Sequence, residues 1–126
     1  MKLRIEERSI RIRMKQDDVA RFAAAGRLEE VLRFGAMPGQ QLTYGVKAVD
    51  AIERIDLRYQ DGRLTLLVPA GQIREWAEGD LLGFDGLYEG PAGILIRLAV
   101  EKDLKCLHRE GGEQDVDTFP NPMGGV

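Results

Sequence analysis

The chain contains one cysteine and one histidine, and they stand two positions apart, as Cys106 and His108 in the stretch EKDLKCLH. On an extended strand, positions i and i+2 face the same side, so a thiolate and an imidazole there can reach one zinc-like ion. Glu101 and Asp103 lie upstream, and Asp115 and Asp117 downstream. Carboxylates would have to complete the three or four ligands that zinc needs, because no second Cys/His pair exists. A lone cysteine is more often a small buried side chain. No cofactor is therefore expected, and a divalent metal enters only if Cys106 and His108 bind one. Read as nucleophile and base, the same pair lacks a third group to orient the base. Beyond position 43 the only hydroxyl side chains of the Ser/Thr type are Thr65 and Thr118, and neither neighbours a base. That count argues against a hydrolase triad.

The second chemical candidate is a basic hairpin. Lys2–Glu6 alternates with Leu3 and Ile5 on one side, and Ser9–Met14 alternates with Ile10, Ile12 and Met14 on one side. Period two marks strands with one dry face. A tight turn at Glu7–Arg8 sets Ile5 opposite Ile10 and Leu3 opposite Ile12. On the other face, Lys2 then lies opposite Arg13 and Arg4 opposite Arg11. Like charges directly opposed across strands destabilise, so this face needs compensation. A bound anion supplies it, since Arg suits phosphate and carboxylate. Glu6, Glu29 or Glu30 on neighbouring strands would do the same as a solvated ion-pair ladder.

The elements that position these residues are organised around Ser9–Gly26, a strand running into a short helix whose Val19, Phe22 and Ala23 form one stripe. A shift of 54 positions brings Leu64, Leu66 and Val68 onto Ile10, Ile12 and Met14, and Ile73, Trp76 and Ala77 onto the helical stripe. This spacing predicts an internally duplicated α+β domain, strand–strand–helix–strand–strand twice. The pseudo-repeats are 1–49 and 54–103 within a domain over 1–110. About eight mostly antiparallel strands would form a curled sheet or partly open barrel carrying two short helices. Further strands are expected at Arg27–Phe34, with Leu28, Leu32 and Phe34 on one face, and at Gln41–Val49. Arg54–Gln60, Arg63–Val68, Leu81–Asp85 and Ile94–Glu101 complete the set. Asp61–Gly62 is a strong hairpin signal, and Pro69 suits the first position of the second helix. The run from Ile94 to Val100 reads as a central strand covered on both faces. Residues 111–126 read as an acidic, Gly/Pro-rich tail.

Composition narrows the function classes. The formal net charge is −3, which argues against binding driven by nucleic-acid phosphates. Residues 1–15 hold six basic against two acidic side chains, whereas residues 101–126 hold three against six, so an acidic end could lie over a basic start. Phe119, among prolines and glycines, is a candidate for docking into the body. One cysteine excludes an internal disulfide and suits the cytoplasm. The amino-terminal stretch lacks the apolar run of a signal peptide, and no segment is long enough to span a bilayer. No G-x-G-x-x-G follows a strand, and no Walker loop exists.

Three resemblances accompany these readings. The eight-strand arrangement resembles the triphosphate-tunnel barrels, which grip polyphosphate with interior Arg and Lys; Glu6-Glu7-Arg8 departs from their Glu-x-Glu-x-Lys spacing. Val68-Pro69, Ile73-Arg74-Glu75 and Gly79-Asp80 resemble swapped-hairpin DNA-binding repressors over some twenty residues. Over its whole length the chain resembles a bacterial family of small proteins of unknown function. That likeness is carried by MKLRIEERSIRIRM, Leu42-Thr43-Tyr44, Trp76-Ala77, VEKDLKCL and Asp117-Thr118-Phe119-Pro120-Asn121-Pro122. It implies a domain and no activity. The leading expectation is a non-enzymatic binding module for an anionic ligand or acidic protein partner at Lys2, Arg4, Arg11 and Arg13. The alternative is a metal-assisted phosphate- or polyphosphate-processing enzyme using the same face.

Overall fold

Strand alternation and two short apolar stripes produce eight strands and two helices, an α+β fold, in the computed structural model, which describes residues 1–104 and 117–122. The first half comprises β1 (Lys2–Glu6), β2 (Ser9–Met14), α1 (Gln16–Ala25), β3 (Arg27–Arg33) and β4 (Gln41–Val49). The second comprises β5 (Asp56–Gln60), β6 (Arg63–Pro69), a 3₁₀ turn over Ala70–Gln72, α2 (Ile73–Glu78), β7 (Gly83–Glu89) and β8 (Leu95–Lys102). Both hairpin registers are the expected ones: Lys2 faces Arg13, Arg4 faces Arg11, and Arg58 faces Thr65. Glu7 and Asp61 open the two turns at φ +51°. Only the second follows with glycine, Gly62 at +74°, which is where positive φ is free of steric cost.

The strands divide between two four-stranded mixed sheets, ordered β1-β2-β8-β7 and β3-β4-β6-β5, and no barrel closes. Four of the six strand pairs are antiparallel, while β2–β8 and β4–β6 are parallel. Each sheet therefore joins the hairpin of one half to the strand pair of the other. The parallel registers coincide under a shift of 54 positions, Ser9 facing Arg97 in one sheet and Arg63 facing Thr43 in the other.

Even-numbered positions of β2, β4, β6 and β8 point between the sheets, where Ile12, Met14, Val46, Leu66, Val68 and Val100 are fully buried. Phe22 of α1 and Trp76 of α2 meet edge-on across this core, with ring centroids 6.0 Å apart, and Trp76 also packs on Phe84 at 5.4 Å. Burying Val19, Phe22, Ile73 and Trp76, at about 2 kcal/mol each, fastens helices too short to persist alone. Ala23 is exposed and plays no part in that stripe. Gly26, at φ +73°, ends α1 and donates its N–H to the Phe22 carbonyl at 2.7 Å.

Two expectations need correcting. β8 is central in its sheet, but only one face is covered: Leu95 is 44% exposed and Arg97 is open to solvent. Its consecutive apolar residues reflect a strand paired on both edges, not one sandwiched between layers. Leu32 and Phe34 do lie in phase with buried Leu28, yet β3 runs on past the core, leaving them 51% and 71% exposed.

The described part of the tail, residues 117–122, is tied to the body. Phe119 packs against the core, its N–H donates to the Asp103 carbonyl at 2.8 Å, and it bridges Leu104 in parallel. Asp117 sits at the start of α1, its carboxylate accepting the Asp17 N–H at 3.0 Å and its carbonyl the Gln16 N–H at 3.0 Å. These contacts lie at α1 and the end of β8, not across the basic hairpin.

Candidate functional site

The outward residues of the first sheet bring the basic side chains together. Register places Lys2, Arg13 and Glu101 in one row and Arg4, Arg11 and Ala99 in the next. All four expected cations have acidic partners. Lys2 Nζ lies 3.0 Å from Asp103 Oδ2 and Arg4 3.1 Å from Glu6. Arg11 Nε and Arg13 Nε both approach Glu101 Oε1, at 3.3 and 3.0 Å. Of the three acids expected as partners, Glu6 takes this role; Glu29 and Glu30 belong to β3, in the other sheet. The missing partner was Glu101, because β8 rather than β3 lies beside β2.

Glu101 is a single carboxylate shared by two guanidiniums. The Arg13 contact is an aligned hydrogen bond, whereas Arg11 Nε is shut from water with no aligned acceptor. Among the described residues, one unit of positive charge is thus left over across the two rows, and both forks keep donors for an oxyanion. Gly83, opposite Glu101, makes room for this: a Cβ there would meet Val100 O at 2.6 Å and Glu101 Cβ at 2.8 Å.

Beside this face, at the end of β8, lies a cavity of about 220 Å³ lined by Arg13, Leu82, Glu101, Lys102, Asp103 and Leu104. Lys102 follows Leu98 and Val100 on the inward face and is buried. Its ammonium donates to the Gly79 carbonyl at 3.0 Å and stands 5.1 Å from the Phe119 ring centre, a cation–π contact. Burial pushes the Lys102 amine below its usual range, and Asp80 partly opposes the shift. A charged residue in phase with Leu98 and Val100 was the sequence signal for this site. Asp103, also buried, donates its N–H to the Met14 carbonyl at 2.8 Å. Among the described residues its Oδ2 receives no aligned hydrogen bond, and Lys2 is its ionic partner.

In the second sheet the Tyr44 hydroxyl donates to Glu30 at 2.7 Å, and that bond, with burial and the carboxylate charge, pushes the phenol up to about 12. Arg27 and Arg63 share Glu29 there, at 3.3 and 3.1 Å. Cys106 and His108 lie outside the described residues. Among the described residues, no three His, Cys, Asp or Glu side chains are grouped to hold a metal ion, and no helix is long and apolar enough to cross a membrane.

The model of a family of unknown function, DUF7009, matches residues 1–123. The chain belongs to this family. The match takes in both sheets, both helices, the basic face and the cavity. No curated protein and no solved structure matches the chain. The family therefore brings no activity and no catalytic residue, and any functional reading rests on the geometry of this chain.

Proposed function

We propose that the protein is a non-enzymatic binding module whose first sheet presents Lys2, Arg4, Arg11 and Arg13 to an anionic small molecule or an acidic protein partner. One observation carries this reading: among the described residues, Glu101 alone serves two guanidiniums from adjacent rows, so the pair holds a surplus positive charge with unused donors. Part-exposed ion pairs of this kind are worth little, and an anion can compete for them at small cost. The overall charge of −3 favours a compact ligand over a nucleic-acid track.

The test is calorimetric titration with tripolyphosphate at low and high salt, without divalent metal. Binding that weakens with salt and falls on Arg11→Gln or Arg13→Gln is expected. Salt-independent binding, or binding unaffected by both substitutions, would refute the reading. Hydrolysis of the ligand only with Mg²⁺ or Mn²⁺ would favour phosphate-processing chemistry instead.

We also read the two halves as copies of one strand–strand–helix–strand–strand unit. The coincident registers at an offset of 54 support this, as does the exchange of hairpins, in keeping with the likeness of residues 62–80 to swapped-hairpin repressors. The single cysteine fits a reducing cytoplasm.

A further inference from the structure

The cavity at the end of β8 differs in charge from the face beside it. Its lining holds Arg13 and Lys102 against Glu101 and Asp103, two cations and two carboxylates, with Leu82 and Leu104 as apolar walls. A site built to take an anion alone would not place two carboxylates in the wall. Its volume, about 220 Å³, is below the ~300–1,000 Å³ typical of drug-sized sites, so its occupant is small.

Asp103 supplies the second observation. Its side chain is only 8% exposed, and Oδ2 is closed to water and lacks an aligned donor. Buried carboxylates are normally hydrogen-bonded, so this one is short of donors. Among the described residues, the one cation against it is the Lys2 ammonium at 3.0 Å, on a side chain 52% exposed. A flexible four-carbon stem of that kind swings away readily. Lys2, which does not line the cavity, thus holds Oδ2 with an ammonium that a ligand's own, with three donors, could replace.

We infer that this cavity binds a small zwitterion, an α-amino acid with a short aliphatic side chain. Its carboxylate would lie on the free fork of Arg13, its ammonium on Asp103 in place of Lys2, and its side chain between Leu82 and Leu104. The inference rests on the proposed function in one respect, the reading of Arg13 as an anion-gripping side chain.

The experiment is calorimetric titration of the full chain with L-leucine, and with isocaproate and isoamylamine, which each keep one of its two charges. Leucine should bind at least ~10-fold tighter than either analogue. Asp103→Asn and Arg13→Gln should each abolish the preference, with unchanged circular dichroism reporting that the variants fold. Lys2→Gln should tighten leucine binding by removing the competing ammonium, while weakening tripolyphosphate. Opposite signs for one substitution separate the two readings. Equal binding of leucine and isocaproate, or no binding of leucine, overturns the zwitterion site and leaves the anion face standing. Weaker leucine binding in Lys2→Gln overturns the role given to Lys2.

Discussion

Replacing Glu101 by glutamine should make the protein less stable and a better anion binder. The charge removed is held by Arg11 at 3.3 Å and Arg13 at 3.0 Å, with side-chain exposures of 38% and 40% against 31% for the glutamate. Ion pairs exposed to that degree contribute ~0.2–1 kcal/mol each, so the loss is about 1 kcal/mol and a Tm drop of ~2–6 °C. For the ligand the sign reverses. A phosphate on the two guanidinium forks would lie roughly 6 Å from the carboxylate, a repulsion of about 2.8 kcal/mol at an effective dielectric constant of ~20. Screening over ~8 Å in 0.15 M salt roughly halves it. The remaining ~1.4 kcal/mol is a tenfold gain in affinity. Calorimetric titration of wild type and Glu101→Gln with tripolyphosphate, beside thermal melts, reads both effects. Unchanged or weaker binding in the variant would refute the argument that the two arginines are under-compensated.

Phe22→Ala should cost ~3–5 kcal/mol, because the ring is fully buried against Trp76; urea denaturation followed by the fluorescence of the chain's one tryptophan checks this. Gly83→Ala should cost ~1–3 kcal/mol by pressing on Val100 O and Glu101, and should also change anion affinity; thermal melts and titration read both. Tyr44→Phe should remove an ionisation near pH 12 from the ultraviolet titration. The phenol's folded value is raised from 10.0 to about 12, so its contribution to stability is complete below pH 10 and lost as pH rises through about 12. Asp117→Ala should cost ~1 kcal/mol by uncapping α1, while Asp117→Asn, which keeps an acceptor for the Asp17 N–H, should cost less in the same melts.

Local signals carried much of the architecture. Alternation together with a two-residue turn determined the β1–β2 and β5–β6 registers residue by residue, since a slip by one would have turned Ile10 and Ile12 to solvent. The helical stripes followed from Phe22 and Trp76, but Pro69, expected at the first position of the second helix, ends β6, and a 3₁₀ turn over Ala70–Gln72 precedes α2 at Ile73. The parallel pairing of β2 with β8 left no such mark, because its partners are 88 positions apart and joined by no turn. For that reason Arg11 and Arg13 are legible as a basic face, while Glu101, the acid that holds them, carries no local mark, and Glu6, Glu29 and Glu30 read as the candidate partners. Lys102 was legible in principle, as a cation in step with Leu98 and Val100. In sequence Asp103 reads only as a companion of Cys106 and His108, and its burial beside Lys2 depends on a β1–β2–β8 order that no local pattern announces.

The exchange of hairpins between halves also governs how the protein can be made. During synthesis β2 emerges early with β1 on one edge, but its other edge stays bare until β8 leaves the ribosome, nearly the whole chain later. No half can assemble in advance, and the arginines of β2 meet Glu101 only when the last strand arrives. Until that moment the nascent chain displays Arg11 and Arg13 without Glu101, although every strand of the second sheet has already emerged.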